Sequence, residues 1–146
     1  MPADTGEAPW PYQKRRYLLS RAELAFYHVL IQAVGDRYTV CPKVNLNDLL
    51  LLTKGTENRM SWLNKINRKH IDFVLCDPAT MEPKHAVELD DASHQKPDAQ
   101  ARDAVKDRAL NAAGLELVRI RARGSYDPAQ LRETLYAAGQ RTTTSA

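Results

Sequence analysis

Two short apolar segments, each interrupted by a single carboxylate, constrain this chain more than any other feature. Residues 70–76 read HIDFVLC and residues 85–89 read HAVEL. Runs this short and this apolar fit strands buried on both faces of a sheet. Asp72 and Glu88 then stand where an ionised group costs several kcal/mol unless a cation or hydrogen-bond donors receive it. The turn that begins at Asp77-Pro78 makes the two strands neighbours, so the carboxylates can meet and repel. A divalent cation relieves that repulsion, and oxygen ligands of this kind suit Mg²⁺ with waters completing its octahedron. Alternatively, both carboxylates cap backbone donors or pair with Arg68 or Lys69.

The rest of the chain supplies a domain around those strands. Residues 1–13 carry Pro2, Gly6, Pro9 and Pro11 and read as a flexible leader. Ser20 followed by Glu23 is a capping-box pattern, and Ala22, Phe26, Val29, Leu30 and Ala33 recur at helical spacing up to a stop at Gly35. Tyr38 to Val44 predicts a strand, placed at a sheet edge by Pro42. Leu46 to about Lys69 predicts a helical insertion of two short helices around Gly55. A helix from Pro97 to Gly114, a strand over 115–122 and a helix over 127–138 complete the order, and a Thr-rich tail over 139–146 is expected to be disordered. The expected fold class is α/β, a central four-stranded mixed sheet flanked by helices within one domain over 14–138.

Charge and composition narrow the function. The net charge is only +3, but Lys54, Arg59, Lys65, Arg68 and Lys69 face Glu57 alone, and Lys14, Arg15, Arg16 and Arg21 have no nearby acid. Glu88, Asp90 and Asp91 form a compact acidic cluster. Basic blocks around an acidic cluster suit a protein that holds a polyanion near a cation, although solvated surface charge gives the same pattern. No apolar run approaches the ~20 residues of a membrane span, and no secretory signal follows the charged start, so no membrane partner is expected. Cys41 and Cys76, far apart in sequence and without a CxxC pair, argue against a disulfide scaffold or a thiolate zinc site. The expected location is the cytoplasm. Arg119, Arg121 and Arg123 alternate along one strand and either contact phosphate or form a solvated strand end.

The segments HIDFVLCD, AVELDDASH and RDAVKDRALNAAGLELVRI, in that order, resemble the restriction-endonuclease-like PD-(D/E)XK nuclease superfamily. Within it they are similar to a bacterial family known as domain of unknown function 2726, a relation of the very-short-patch-repair endonucleases. The resemblance runs from about Tyr17 to Ile120. It implies a restriction-endonuclease-like core and metal-dependent hydrolysis of phosphodiester bonds in DNA, with Mg²⁺ or Mn²⁺ as cofactor. Asp72 and Glu88 match the two acidic motif residues as metal ligands, and Glu23 the helical glutamate that reaches the same metal. Glu23 equally completes the capping box. The usual lysine two positions beyond the second acid is Asp90 here, which with Glu23 would complete the first or second shell of the metal and leaves charge balance there to other groups. Lys106 and Arg102, four residues apart on one helix face, are the candidate cations, and His94 the candidate acid or base. Lys54, Arg59, Lys65, Arg68 and Lys69, with Arg102, are the expected DNA contacts. The alternative is a non-catalytic nucleic-acid-binding or assembly module with a degenerate nuclease site. The Pro-rich leader points to a fused or partner domain.

Overall fold

The computed structural model describes residue 6, residues 8–90 and residues 97–144, except for the side chains of 97–99, 102 and 138–144. Its elements run α1 (Arg21–Val34), β1 (Thr39–Asn45), α2 (Leu46–Leu49), α3 (Arg59–Ile66), β2 (His70–Cys76), β3 (Pro83–Asp90), α4 (Pro97–Ala112), β4 (Leu117–Arg121) and α5 (Pro128–Thr144). The sheet order is β1-β2-β3-β4. The first two pairings are antiparallel, and β3 with β4 is parallel across the α4 crossover. This is the mixed four-stranded α/β sheet expected, with the helical insertion of α2 and α3 after β1.

Local chemistry explains the boundaries. The Ser20 side chain accepts from the Glu23 N–H at 3.2 Å, and the Glu23 carboxylate accepts from the Ser20 N–H at 2.8 Å, a complete capping box. Gly35 ends α1 at φ 54°, where a side chain would be strained. Pro42 sits on β1, which is an edge strand, as its missing N–H requires. α5 continues past Ala138 to Thr144, into the segment expected as a disordered tail. One mid-helix glycine costs about 1 kcal/mol, which the flanking alanines, Gln140 and Arg141 tolerate.

Helices cover both sheet faces. On one, Phe26 and Leu30 of α1 and Leu131 and Leu135 of α5 pack with Phe73, Leu75, Val87, Leu89 and Val118. On the other, Leu46, Ile66 and Leu110, from α2, α3 and α4, pack with Ile71, Val74, Cys76 and Ala86. Alternation holds along β2 from Phe73 to Cys76, but Ile71 lies on the face of Val74 and Cys76 despite sharing the parity of Phe73. β1 changes face at the matching place, since Cys41 and Val44 both pack against the second cluster. Lys43 between them has φ 52°, and the β1–β2 register passes over the Lys43–Asp72 step. Both strands therefore turn over at Asp72. That turn brings a carboxylate to a place where the ladder is already interrupted.

Phe26 anchors α1 to the sheet. It is fully buried, 5.4 Å from the Phe73 ring and 5.2 Å from the Tyr126 ring, centroid to centroid. Phe26→Ala should lower unfolding free energy by about 3–5 kcal/mol, read as a shifted urea midpoint at unchanged slope.

Candidate active site

β2 and β3 separate at the step after Phe73↔Val87, the last pair on that side of their ladder. Beyond it β3 stays paired only with β4, with Glu88 beside Arg119 and Asp90 beside Arg121. Asp72 and Glu88 face each other in the fork, close enough for the Asp72 carboxyl to raise the Glu88 pKa. Each receives a backbone donor from the other's strand. The Asp72 N–H donates to Glu88 Oε2 at 3.3 Å, and the Leu89 N–H donates to Asp72 Oδ2 at 2.9 Å. The backbone-capping role and the paired-carboxylate role thus coexist here.

Glu88 is 1% exposed. Its cation is Lys106 of α4, whose Nζ donates to Oε1 at 2.6 Å, rather than Arg68 or Lys69. Burial pushes the Glu88 carboxyl up to about 8; the neighbouring Asp72 acts in the same direction and Lys106 opposes. Asp90, two positions beyond Glu88, accepts from Arg119 at 3.2 Å. Arg119 also donates to Asp107 Oδ1 at 3.0 Å and lies 3.7 Å from Asp103 Oδ2. The charged end of α4 therefore meets the ends of β3 and β4 through two cations, one for Glu88 and one shared by three aspartates.

Sequence reading missed Arg119 as a hub, and with it Asp107 and the role of Asp103. The available signal was the spacing of Asp103 and Asp107, four residues apart and so on one helix face opposite a strand arginine.

The remaining expected residues are placed as follows. Glu23 holds the α1 cap, one turn before Tyr27, whose ring stacks on Phe73 at 6.1 Å. Among the described residues no three His, Cys, Asp or Glu side chains form a metal-holding group, so Glu23 does not join Asp72 and Glu88 in this structure. His94 lies outside the described residues. Arg102 is in α4, its side chain likewise outside the description. Lys54, Arg59, Lys65 and Arg68 are exposed on α3 and its flanking loops, and Lys69 is half-buried with Nζ donating to the Lys65 carbonyl at 2.7 Å. These residues lie on the sheet face that α4 also covers. Lys69 directly precedes β2, three residues from Asp72, or about 10 Å along an extended strand.

Two other groups lie away from the fork. His85 is buried: it is 7% exposed, its Nε2 lies 3.2 Å from the Tyr38 hydroxyl, and burial lowers its pKa. Its place is the end of β3 away from Glu88. Cys41 and Cys76, remote in sequence, are neighbours across β1 and β2 as free thiols, and burial with this proximity pushes Cys76 up to about 11.

Residues 15–138 match the family described as Protein of unknown function (DUF2726), and the chain belongs to that family. It is similar to the uncharacterized protein y4bI of Sinorhizobium fredii (strain NBRC 101917 / NGR234), with 33% identity over 119 residues, 79% of this chain and 80% of that one. No solved structure matches the chain. Among the described residues no helix is long and apolar enough to cross a membrane.

The raised Glu88 pKa links stability to pH. The folded state binds a proton at pH values where an unfolded glutamate, near 4.5, has lost it. The stabilisation is complete below that unfolded value and is lost as pH rises through the folded one. Between about pH 5 and 8 the parent should lose stability relative to Glu88→Gln, with a limiting slope of about 1.4 kcal/mol per pH unit. Paired urea titrations across that range check it. Parallel curves would mean that Glu88 titrates alike in both states.

Proposed function

We propose that the chain is a metal-dependent nuclease of the PD-(D/E)XK type, hydrolysing phosphodiester bonds in DNA. The observation that carries this reading is the pairing of Asp72 and Glu88 in the strand fork, each accepting a backbone N–H from the other's strand, with Lys106 at 2.6 Å from Glu88. Two carboxylates held together at the cost of repulsion and desolvation suit a hard divalent cation, and Mg²⁺ binds through one or two carboxylates plus substrate phosphate and water. The donor set fits such an ion, with Asp72 and Glu88 as its protein ligands. A bound Mg²⁺ supplies Lewis acidity, lowering the pKa of a coordinated water and neutralising charge that builds on the phosphate.

The chain's own groups do the rest. Asp72 and Glu88 are oriented by the N–H groups of Leu89 and Asp72, so their positions are fixed before substrate arrives. Lys106 donates to Glu88 at 2.6 Å, and with an ion held by Asp72 and Glu88 its ammonium would be the protein cation placed to meet the phosphate. It thereby substitutes for the lysine that Asp90 replaces. Arg119 keeps the Asp90 carboxylate neutralised beside the incoming polyanion. Lys54, Arg59, Lys65, Arg68 and Lys69 contact the DNA backbone, giving affinity without sequence information.

A second reading, a non-catalytic nucleic-acid-binding module, is favoured by Asp90 at the lysine position and by Glu23 being engaged in the helix cap. The two readings differ in turnover. With Mg²⁺ or Mn²⁺, the parent should cleave single- or double-stranded DNA, and Asp72→Asn should abolish cleavage with affinity equal or higher. Lys106→Ala should lower cleavage more than binding. Salt-sensitive binding by the parent with no cleavage of either form retires the nuclease in favour of the module. Lys65→Ala with Lys69→Ala should weaken binding to all sequences and flatten its salt dependence, by about one unit of slope for each phosphate no longer neutralised.

A further inference from the structure

A cavity of about 520 Å³ opens along the outer edge of β4 and the first turns of α5. Arg119, Arg121 and Arg123 line it, with Gln130 and Thr134 of α5 opposite. Arg119 is neutralised by its aspartates. Among the described residues, the guanidinium groups of Arg121 and Arg123 have neither ion-pair nor hydrogen-bond partners. The backbone adds donors to these charges. The Ala122 N–H donates to the Asp90 carbonyl, and the Glu116 carbonyl accepts from the Ala86 N–H. In a parallel pair, residues alternate in the edge to which they turn both backbone groups, so Arg119 and Arg121 turn theirs toward the open side. Asp127, the acid at the rim, directs Oδ1 to the Ala129 N–H at 3.1 Å and so serves the start of α5.

Two uncompensated guanidinium groups with outward N–H donors fit a phosphate, which accepts bidentate bonds from arginine. Position relates this cavity to the fork. Arg121 is one strand over and two residues along from Glu88, about 8 Å between Cα atoms at standard sheet spacings. Addition of a peptide strand to the β4 edge is the competing use of such a surface, and alternating charged side chains disfavour it. We propose that the cavity seats a phosphodiester of the nucleic-acid strand that flanks the one held at Asp72 and Glu88, with Arg121 and Arg123 as its counter-ions. The inference rests on the nuclease reading for its ligand, but binding at this cavity does not require turnover.

The test measures fluorescence anisotropy of labelled 12-nucleotide DNA, single- and double-stranded, in EDTA at 50–200 mM salt. Arg121→Ala with Arg123→Ala should weaken binding about tenfold or more and lower the duplex salt slope by nearly two units. Thr134→Trp, at an exposed position on the cavity wall, adds bulk without changing charge and should weaken binding as well. Unchanged melting temperatures establish that both variants are folded. Unaltered affinity in either variant overturns the inference, since loss in the arginine variant alone places the phosphate outside the cavity. A parent that binds neither DNA form overturns it too. Cleavage with Mg²⁺ is scored separately. Weakened binding in both variants without cleavage by the parent retires the enzyme and keeps the cavity, whereas cleavage by the parent with unaltered binding in the variants does the reverse.

Discussion

The buried Glu88 carboxylate sets the terms for everything around it. At 1% exposure it has lost its water, and a second carboxylate lies against it. The arrangement persists because compensation arrives from three directions: Lys106 from α4, the Asp72 N–H from β2, and the covalent continuity of β3 through an otherwise apolar core. Removing Lys106 would take away the group that opposes the raised Glu88 pKa, so the buried carboxyl would hold its proton to still higher pH. The fork follows from the same need for donors. A ladder carried on past Phe73 would occupy the Asp72 and Leu89 N–H groups, and the carboxylates would have no backbone donors to turn toward.

α4 serves the core and the site at once. Its lower end packs Leu110 against Ala86, Cys76 and Leu46, and its upper end presents Lys106, Asp103 and Asp107 to the ends of β3 and β4. A helix divided along its length in this way couples core formation to site formation. The parallel pairing of β3 and β4 requires a crossover, and the crossover is the element that delivers the site's lysine. Arg119 then ties the far end of that helix to the strand it leads into.

Legibility in the sequence follows how local each determinant is. The capping box, Gly35, Pro42 and the apolar strands are fixed by residues within a few positions, and each element can be placed from them. Lys106 is legible only because the resemblance asks for a cation that Asp90 does not provide. Arg119 is not, since its role depends on two aspartates of α4 and one of β3 meeting across a register that no local pattern encodes. The same holds for Cys41 and Cys76, which the β1–β2 pairing brings together, and for His85, whose burial follows from Tyr38 on a different segment. The helix that continues to Thr144 is the converse case, where a Gly and a run of threonines look locally like an ending and are not strong enough to be one.

Asp90, at the end of β3, shapes the charge pattern around the fork. A lysine at 90 would stand in register beside Arg121 and near Arg119, three cations on two adjacent strand ends with only Asp103 and Asp107 facing them. With Asp90, Arg119 gains a third carboxylate, and the cation nearest Glu88 comes from the helix instead. A strand lysine flanked by arginines would be repelled from its own neighbours, whereas Lys106 reaches Glu88 from a separate element. In this chain the two cations are therefore divided between two sets of carboxylates: Lys106 of the helix serves Glu88, and Arg119 of the strand is held by three aspartates.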